Sequence, residues 1–110
     1  MSQKILQINF KFHVPRTDYE TAVAPLAEPI AAVSGLLWKV WLMNEADQEA
    51  GGIYLFADGK SLDDYLNSEI VAGIVSNPAL SDFSVKTFAV MPDVSEVTRA
   101  PLGTAVSAGV

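Results

Sequence analysis

The stretch Leu36-Leu-Trp-Lys-Val-Trp-Leu-Met43 is apolar on both sides of a strand, and this limits the folds open to the chain more than any other feature. Successive side chains of a strand alternate between its two faces. Leu36, Trp38, Val40 and Leu42 are therefore expected on one side, with Leu37, Trp41 and Met43 on the other. A strand apolar on both faces has to be covered on both. A second apolar run, Ile53 to Phe56, follows a polar loop from Asn44 to Glu49, so the two read as a hairpin. It carries Trp38, Trp41, Tyr54 and Phe56 on neighbouring strands.

The rest of the chain supplies what such a hairpin packs against. From Ile5 to Phe12 the pattern alternates strictly, with Leu6, Ile8, Phe10 and Phe12 on one face and Gln7, Asn9 and Lys11 on the other. That is the period of a strand, and Pro15 ends it. Tyr19, Ala22, Val23, Leu26, Ala27 and Ile30 follow helical spacing behind Thr17 or Asp18 as the cap. Pro25 and Pro29 each remove a donor and crowd the preceding turn, so this helix is expected to kink or end early. Gly35 stops it in the left-handed cap role. After Asp58-Gly59, the positions Leu62, Tyr65, Leu66 and Ile70 predict a second helix, broken into two pieces by Gly73 and Asn77-Pro78. Phe83 to Val90 reads as a fourth strand.

The element order β-α-β-β-α-β is the split, ferredoxin-like arrangement. Right-handed crossovers turn it into a four-stranded antiparallel sheet of order 4-1-3-2 with both helices on one face. Residues 1–90 then form one α+β domain and residues 91–110 a C-terminal tail, with its last ten residues expected to be mobile. The other sheet face still needs a cover. At 110 residues, 50% apolar and 18% charged, the chain is rich in apolar side chains for one small domain, and a second subunit is the natural source.

Composition also excludes. There are no cysteines, which removes disulfides, thiolate catalysis and zinc–sulfur or iron–sulfur sites. The single histidine, His13, precludes a multi-histidine metal site within one chain. Seven scattered basic residues against thirteen acidic ones leave no footprint for nucleic acid. No apolar run reaches the roughly 20 residues that span a bilayer, and no signal-peptide pattern opens the chain, so the expectation is a cytoplasmic protein. Gly51-Gly52 precedes a strand instead of joining a strand to a helix, so it is no phosphate loop.

The strings GLLWKVW at 35–41 and GGIYLF at 51–56, followed by Asp58, Lys60, Ser61 and Tyr65-Leu66, resemble the YdhR-like monooxygenase family of the dimeric α+β-barrel superfamily. Fainter likeness at Leu6-Gln7, Phe10 and Pro25-Leu26-Ala27-Glu28 extends it over most of residues 5–66. The resemblance implies a homodimeric α+β barrel, oxygenase chemistry without a cofactor, and a tail that crosses to the partner subunit.

A ligand cavity is expected between the sheet and the helices, with Trp38, Tyr54 and Tyr65 as wall and Asn9 as polar contact. Trp41 replaces Trp38 if the helices pack on its face instead. Ring faces leave gaps that small residues such as Ala22, Ala27 and Ala31 do not fill. His13, at the end of the first strand, is either a general base or an uninvolved surface residue. Asn9 either donates to a substrate oxygen or satisfies its neighbours. Lys39, a lone cation among tryptophans, either reaches out to solvent or holds an anionic ligand oxygen. Asp63-Asp64 and Glu45/Asp47/Glu49 read as solvated charges.

These features are compatible with a cofactor-independent monooxygenase acting on a phenol- or quinol-like aromatic. Alternatives are an isomerase or cyclase, a haem-degrading enzyme, or a non-catalytic ligand-binding or stress-response module on the same scaffold.

Overall fold

A computed structural model of the chain describes residues 2–102. Four strands form one antiparallel sheet in the order β2-β3-β1-β4, the expected order read from the other edge. β1 (Lys4–Phe12) lies between β3 (Glu49–Phe56) and β4 (Leu80–Ala89), and β2 (Leu36–Asn44) is the far edge. Its alternation places Leu6, Ile8, Phe10 and Phe12 on the helix-covered face, where all four are buried.

The first crossover breaks into α1 (Arg16–Val23), a 3₁₀ turn (Ala24–Leu26) and α2 (Ala27–Ala31). The two prolines explain the division. Pro25 sits in the first turn of the 3₁₀ segment and Pro29 in that of α2, where the missing N–H would have had no helical partner. Neither Thr17 nor Asp18 is the cap. The helix begins directly after Pro15, which has no side-chain acceptor to offer, and Asp18 instead lies inside the first turn, facing the positive end of the helix. Gly35 takes a φ of +83°, as expected of a left-handed residue. A side chain there would also meet the Ser61 side chain.

The hairpin is longer and its loop shorter than the sequence implies. β2 and β3 pair to their ends, from Leu36 opposite Phe56 to Asn44 opposite Glu49. Asn44 closes the four-residue turn by accepting the Asp47 N–H at 3.2 Å. The break between α3 (Gly59–Leu66) and α4 (Glu69–Val75) falls at Asn67-Ser68, not at Gly73, which is inside α4. Capping decides this: Asp58 accepts the Ser61 N–H at 2.8 Å to start α3, and Ser68 accepts the Val71 N–H at 3.4 Å to start α4.

One irregularity governs everything downstream. The register of β2 against β3 shifts between Leu36 and Trp38, a bulge at Leu37. Leu36 faces the helices, but Trp38, Val40 and Leu42 then fall on the opposite face with Ile53 and Leu55. Lys39, Trp41 and Met43 share the helix face with Tyr54. The expected grouping of Leu36 with Trp38, Val40 and Leu42 is thus wrong at its first member, because a bulge inverts the alternation across itself.

The core is the helix-side layer, where Tyr19, Ile30, Leu62, Tyr65 and Val71 pack on Leu6, Ile8, Phe10, Phe12, Tyr54 and Phe56. On the other face, α5 (Pro92–Val97) follows β4, and the chain returns across the sheet to β2. There the Trp38 indole N–H donates to the Pro101 carbonyl at 2.6 Å, and Leu102 is buried. The tail therefore has an anchor within its own chain. Of the last ten residues, for which mobility is expected, Pro101 and Leu102 make these contacts, and residues 103–110 lie outside the described residues. Among the described residues no helix is long and apolar enough to cross a membrane.

Candidate functional site

Between the sheet and the helices α1, α2 and α4 lies a cavity of about 370 Å³. Ile8 and Phe10 of β1 and Phe83 and Val85 of β4 form its sheet-side floor, and Ala22, Leu26, Ile30, Ile70 and Ile74 line it from the helices. Ala22 lines this space, while Ala27 and Ala31 border a smaller hollow of about 170 Å³ beside Trp38. Rings and short side chains line both gaps.

The polar content of the large cavity is sparse. Its ionisable groups are Lys39, Tyr19, Tyr54 and, at the rim, Glu69. The Lys39 ammonium lies 3.4 Å from the centre of the Trp41 ring and 4.6 Å from that of Tyr54. No carboxylate pairs with it among the described residues. Burial pushes its pKa down to about 7, because the charged form loses water without gaining a counter-ion. The two ring faces pull the other way, since their quadrupoles favour a cation. Room for the amine comes from the next strand: a Cβ on Gly52 would stand 2.5 Å from the Lys39 Cε and 3.3 Å from the Tyr54 ring. Gly52 is thus the gap into which the lysine stem fits.

Tyr54 is held from behind. The Tyr65 hydroxyl donates to the Tyr54 hydroxyl at 3.0 Å, and the rings lie 5.1 Å apart. Burial, then the neighbouring Tyr65, raises the Tyr54 pKa far above that of an exposed phenol. Burial alone pushes Tyr19 up to about 12. Both phenols stay protonated at neutral pH and are available as donors.

Of the residues expected to form the site, Trp41 and Tyr54 line the cavity, and Tyr65 supports Tyr54 without lining it. Trp38 lies on the opposite face, because the bulge decides between the two tryptophans in favour of Trp41. Asn9 is also on that face, where it accepts from the Gln7 amide at 2.9 Å. His13 is exposed at the end of β1 and hydrogen-bonds the Ser81 hydroxyl, while its neighbour Val14 lines the cavity. Two further groups line the cavity: helical spacing marks Tyr19 only as an apolar position, and the sequence leaves Lys39 open to two roles. The signal for Lys39 is Gly52, a residue without a side chain beside the only long cation of the hairpin. No cluster of three or more potential metal ligands exists among the described residues.

Residues 5–101 match the family described as "Putative mono-oxygenase ydhR". The chain belongs to this family. No curated protein matches the sequence. Among solved structures, the ydhR-family chain resembles SnoaB, a cofactor-independent oxygenase from Streptomyces nogalater, at 17% identity and a TM-score of 0.67, covering 84% of this chain and 100% of that one. The ActVA-Orf6 monooxygenase of Streptomyces coelicolor, solved with nanaomycin D, shares 15% identity at a TM-score of 0.62 over 81% and 88% of the two chains. The heme-degrader MhuD from Mycobacterium tuberculosis, solved with two hemes in its active site, shares 17% identity at 0.62 over 81% and 97%. Likenesses at such identities establish a common fold, ferredoxin-like α+β. The family's description supports a monooxygenase-like role.

Proposed function

We propose that this ydhR-family chain is a cytoplasmic, homodimeric monooxygenase that oxidises a small phenol- or quinol-like aromatic in the 370 Å³ cavity without a bound cofactor. The observation that carries the reading is the cavity itself: ring-walled, mainly apolar, and furnished with one cation and two phenols, with Glu69 and Asn77 the other polar side chains that line it. Ligand sites have this character, and their usual volumes start at about 300 Å³.

The chemistry asks little of the protein. An ionised substrate is electron-rich enough to reduce dioxygen itself. One oxygen atom enters a ring carbon as a carbonyl oxygen, giving a quinone, and the other leaves as water with the hydrogen of that carbon and the hydrogen of the substrate hydroxyl. No outside reductant is consumed. The protein's task is to exclude bulk water, align the ring against Trp41 and Tyr54, and stabilise the anion.

Oxygen uptake with a phenol- or quinol-type compound, in the presence of a chelator and without added flavin or heme, tests the proposal. Uptake that tracks product formation is expected. Binding of such compounds with no oxygen consumed would identify a ligand-binding module or an isomerase instead.

The dimer is supported by apolar surface left open on the sheet's outer side: Val40 is 50% exposed, and Met91, Val94 and Val97 along the tail are 57–78% exposed. A patch of this kind on so small a domain fits a second copy, with residues 91–102 at the contact. Light scattering should give twice the 11.8 kDa chain mass; the single-chain mass at micromolar concentration would refute it.

A further inference from the structure

We propose that Lys39 makes the cavity selective for an aromatic ligand carrying an ionised hydroxyl group, which it holds as a phenolate or enolate against its side-chain nitrogen. This deepens the reading of the cavity as a substrate site and rests on it.

Three observations converge. First, the lysine nitrogen is inside an apolar, ring-walled space and has no carboxylate partner among the described residues. Snorkelling would carry the amine to water, yet here it lies over the Trp41 ring at 3.4 Å. Secondly, the position is built. Gly52 leaves the volume that the lysine stem occupies, and Trp41 and Tyr54 fix the nitrogen from two sides. Thirdly, the other ionisable groups around it do not compensate the charge. β3 contributes Tyr54 and α1 contributes Tyr19, both neutral phenols, while α4 contributes Glu69, exposed at the rim. The lining segments of β1, α2 and β4 bring no ionisable side chain.

A half-buried amine in apolar surroundings without a counter-ion invites an anion. A flat phenol entering the cavity can give its proton to the neutral amine, so that the O–H bond breaks, an N–H bond forms, and an ammonium–phenolate pair replaces two neutral groups. The pair carries no net charge, so it suits a low-dielectric space better than either ion alone. The same proton transfer produces the electron-rich anion that oxygen chemistry requires, and it ties anion binding to the lysine and not to His13, which lies outside the cavity.

Para-nitrophenol is a suitable probe, because its phenolate alone absorbs strongly in the visible. Titrated with the full chain under argon, bound probe should ionise about 1 to 3 pH units lower than free probe, as expected for a hydroxyl beside one opposite charge. Each unit is a tenfold preference for the anion. Nitrobenzene, which has no acidic proton, should bind more weakly than the phenolate, as followed by quenching of tryptophan fluorescence. Lys39→Met should abolish the shift while still binding nitrobenzene, and Lys39→Arg should retain it. Removing a half-buried charge from apolar surroundings relieves a desolvation cost, so the methionine variant is expected to fold. If it does not, the wild-type titration and the arginine variant still decide.

An unshifted or raised pKa for bound probe, no binding of para-nitrophenol up to its solubility, or a shift that survives Lys39→Met would each overturn the proposal. Oxygen is absent throughout, so failure here is separable from failure of the monooxygenase reading, which oxygen uptake alone reports.

Discussion

Trp38 and Trp41 stand three residues apart on one edge strand and live in different environments. Trp41 faces the helices, with a lysine ammonium over its ring and a cavity beside it. Trp38 faces away, its N–H committed to the Pro101 carbonyl beneath the returning tail. Residue type is identical and spacing is short, so neither composition nor hydrophobicity separates them. Strand phase does. One face of β2 lines the cavity that we propose as the substrate site, and the other holds the tail and, on the same proposal, meets a second subunit.

The largest expected effect tests whether the Trp41 side is destabilised by its half-buried cation. Lys39 has a folded pKa lowered to about 7, against about 10.4 for a free lysine, so between these values the unfolded chain binds more protons than the folded one. Stability should therefore rise with pH from about 7 upward. The slope is at most about 1.4 kcal/mol per unit, and the ring contacts offset part of it, which leaves about 2 to 4 kcal/mol gained by pH 10. Above pH 10 the buried tyrosines, whose folded pKa values are raised, reverse the trend. Urea midpoints measured across pH 6 to 10 should show the rise in wild type and its loss in Lys39→Met. A flat wild-type profile would mean that the lysine stays charged in the fold.

A smaller effect is expected when the room for the lysine is filled. Gly52→Val puts carbon where the Lys39 Cε already stands and should cost about 1 to 3 kcal/mol by overpacking. The double variant with Lys39→Ala should recover most of that loss, whereas additive costs would show that the strain lies elsewhere.

The smallest effect sharpens the contrast itself. Trp38→Phe removes one hydrogen bond and leaves the Pro101 carbonyl without that donor, a loss of about 1 kcal/mol in denaturation with ligand affinity unchanged. Trp41→Phe should do the reverse, keeping stability within about 0.5 kcal/mol because the indole is 39% exposed, while weakening aromatic ligands. Equal behaviour of the two variants would erase the distinction between the faces.

The sequence carries the sheet order and most of the elements because strict alternation in β1 and the paired apolar runs leave few other arrangements. It does not carry the phase of β2. Leu36 and Leu37 are chemically alike, so nothing in the letters marks which of them is squeezed out of register, and that one residue decides which tryptophan meets the helices. The start of α1 is missed for a related reason. Thr17 and Asp18 are good caps by type, but backbone geometry after Pro15 starts the helix before either can serve. Asn9 and His13 stand out as polar residues in apolar company, yet alternation turns the first away from the cavity and the strand's end leaves the second exposed. Lys39 is visible as an odd residue, but its burial depends on a missing side chain thirteen positions later, and pairing across strands is what joins the two.

That joint has a consequence for how sequences of this kind can diverge. The volume at position 52 and the length of the side chain at position 39 draw on the same space, so they are not free to vary independently. A homologue that places even an alanine at 52 should carry a shorter residue at 39, and with it a cavity with no positive charge and a different appetite for ligands. The two positions together form a short inherited signature, readable in any relative without a structure, that sorts cation-bearing cavities from wholly apolar ones.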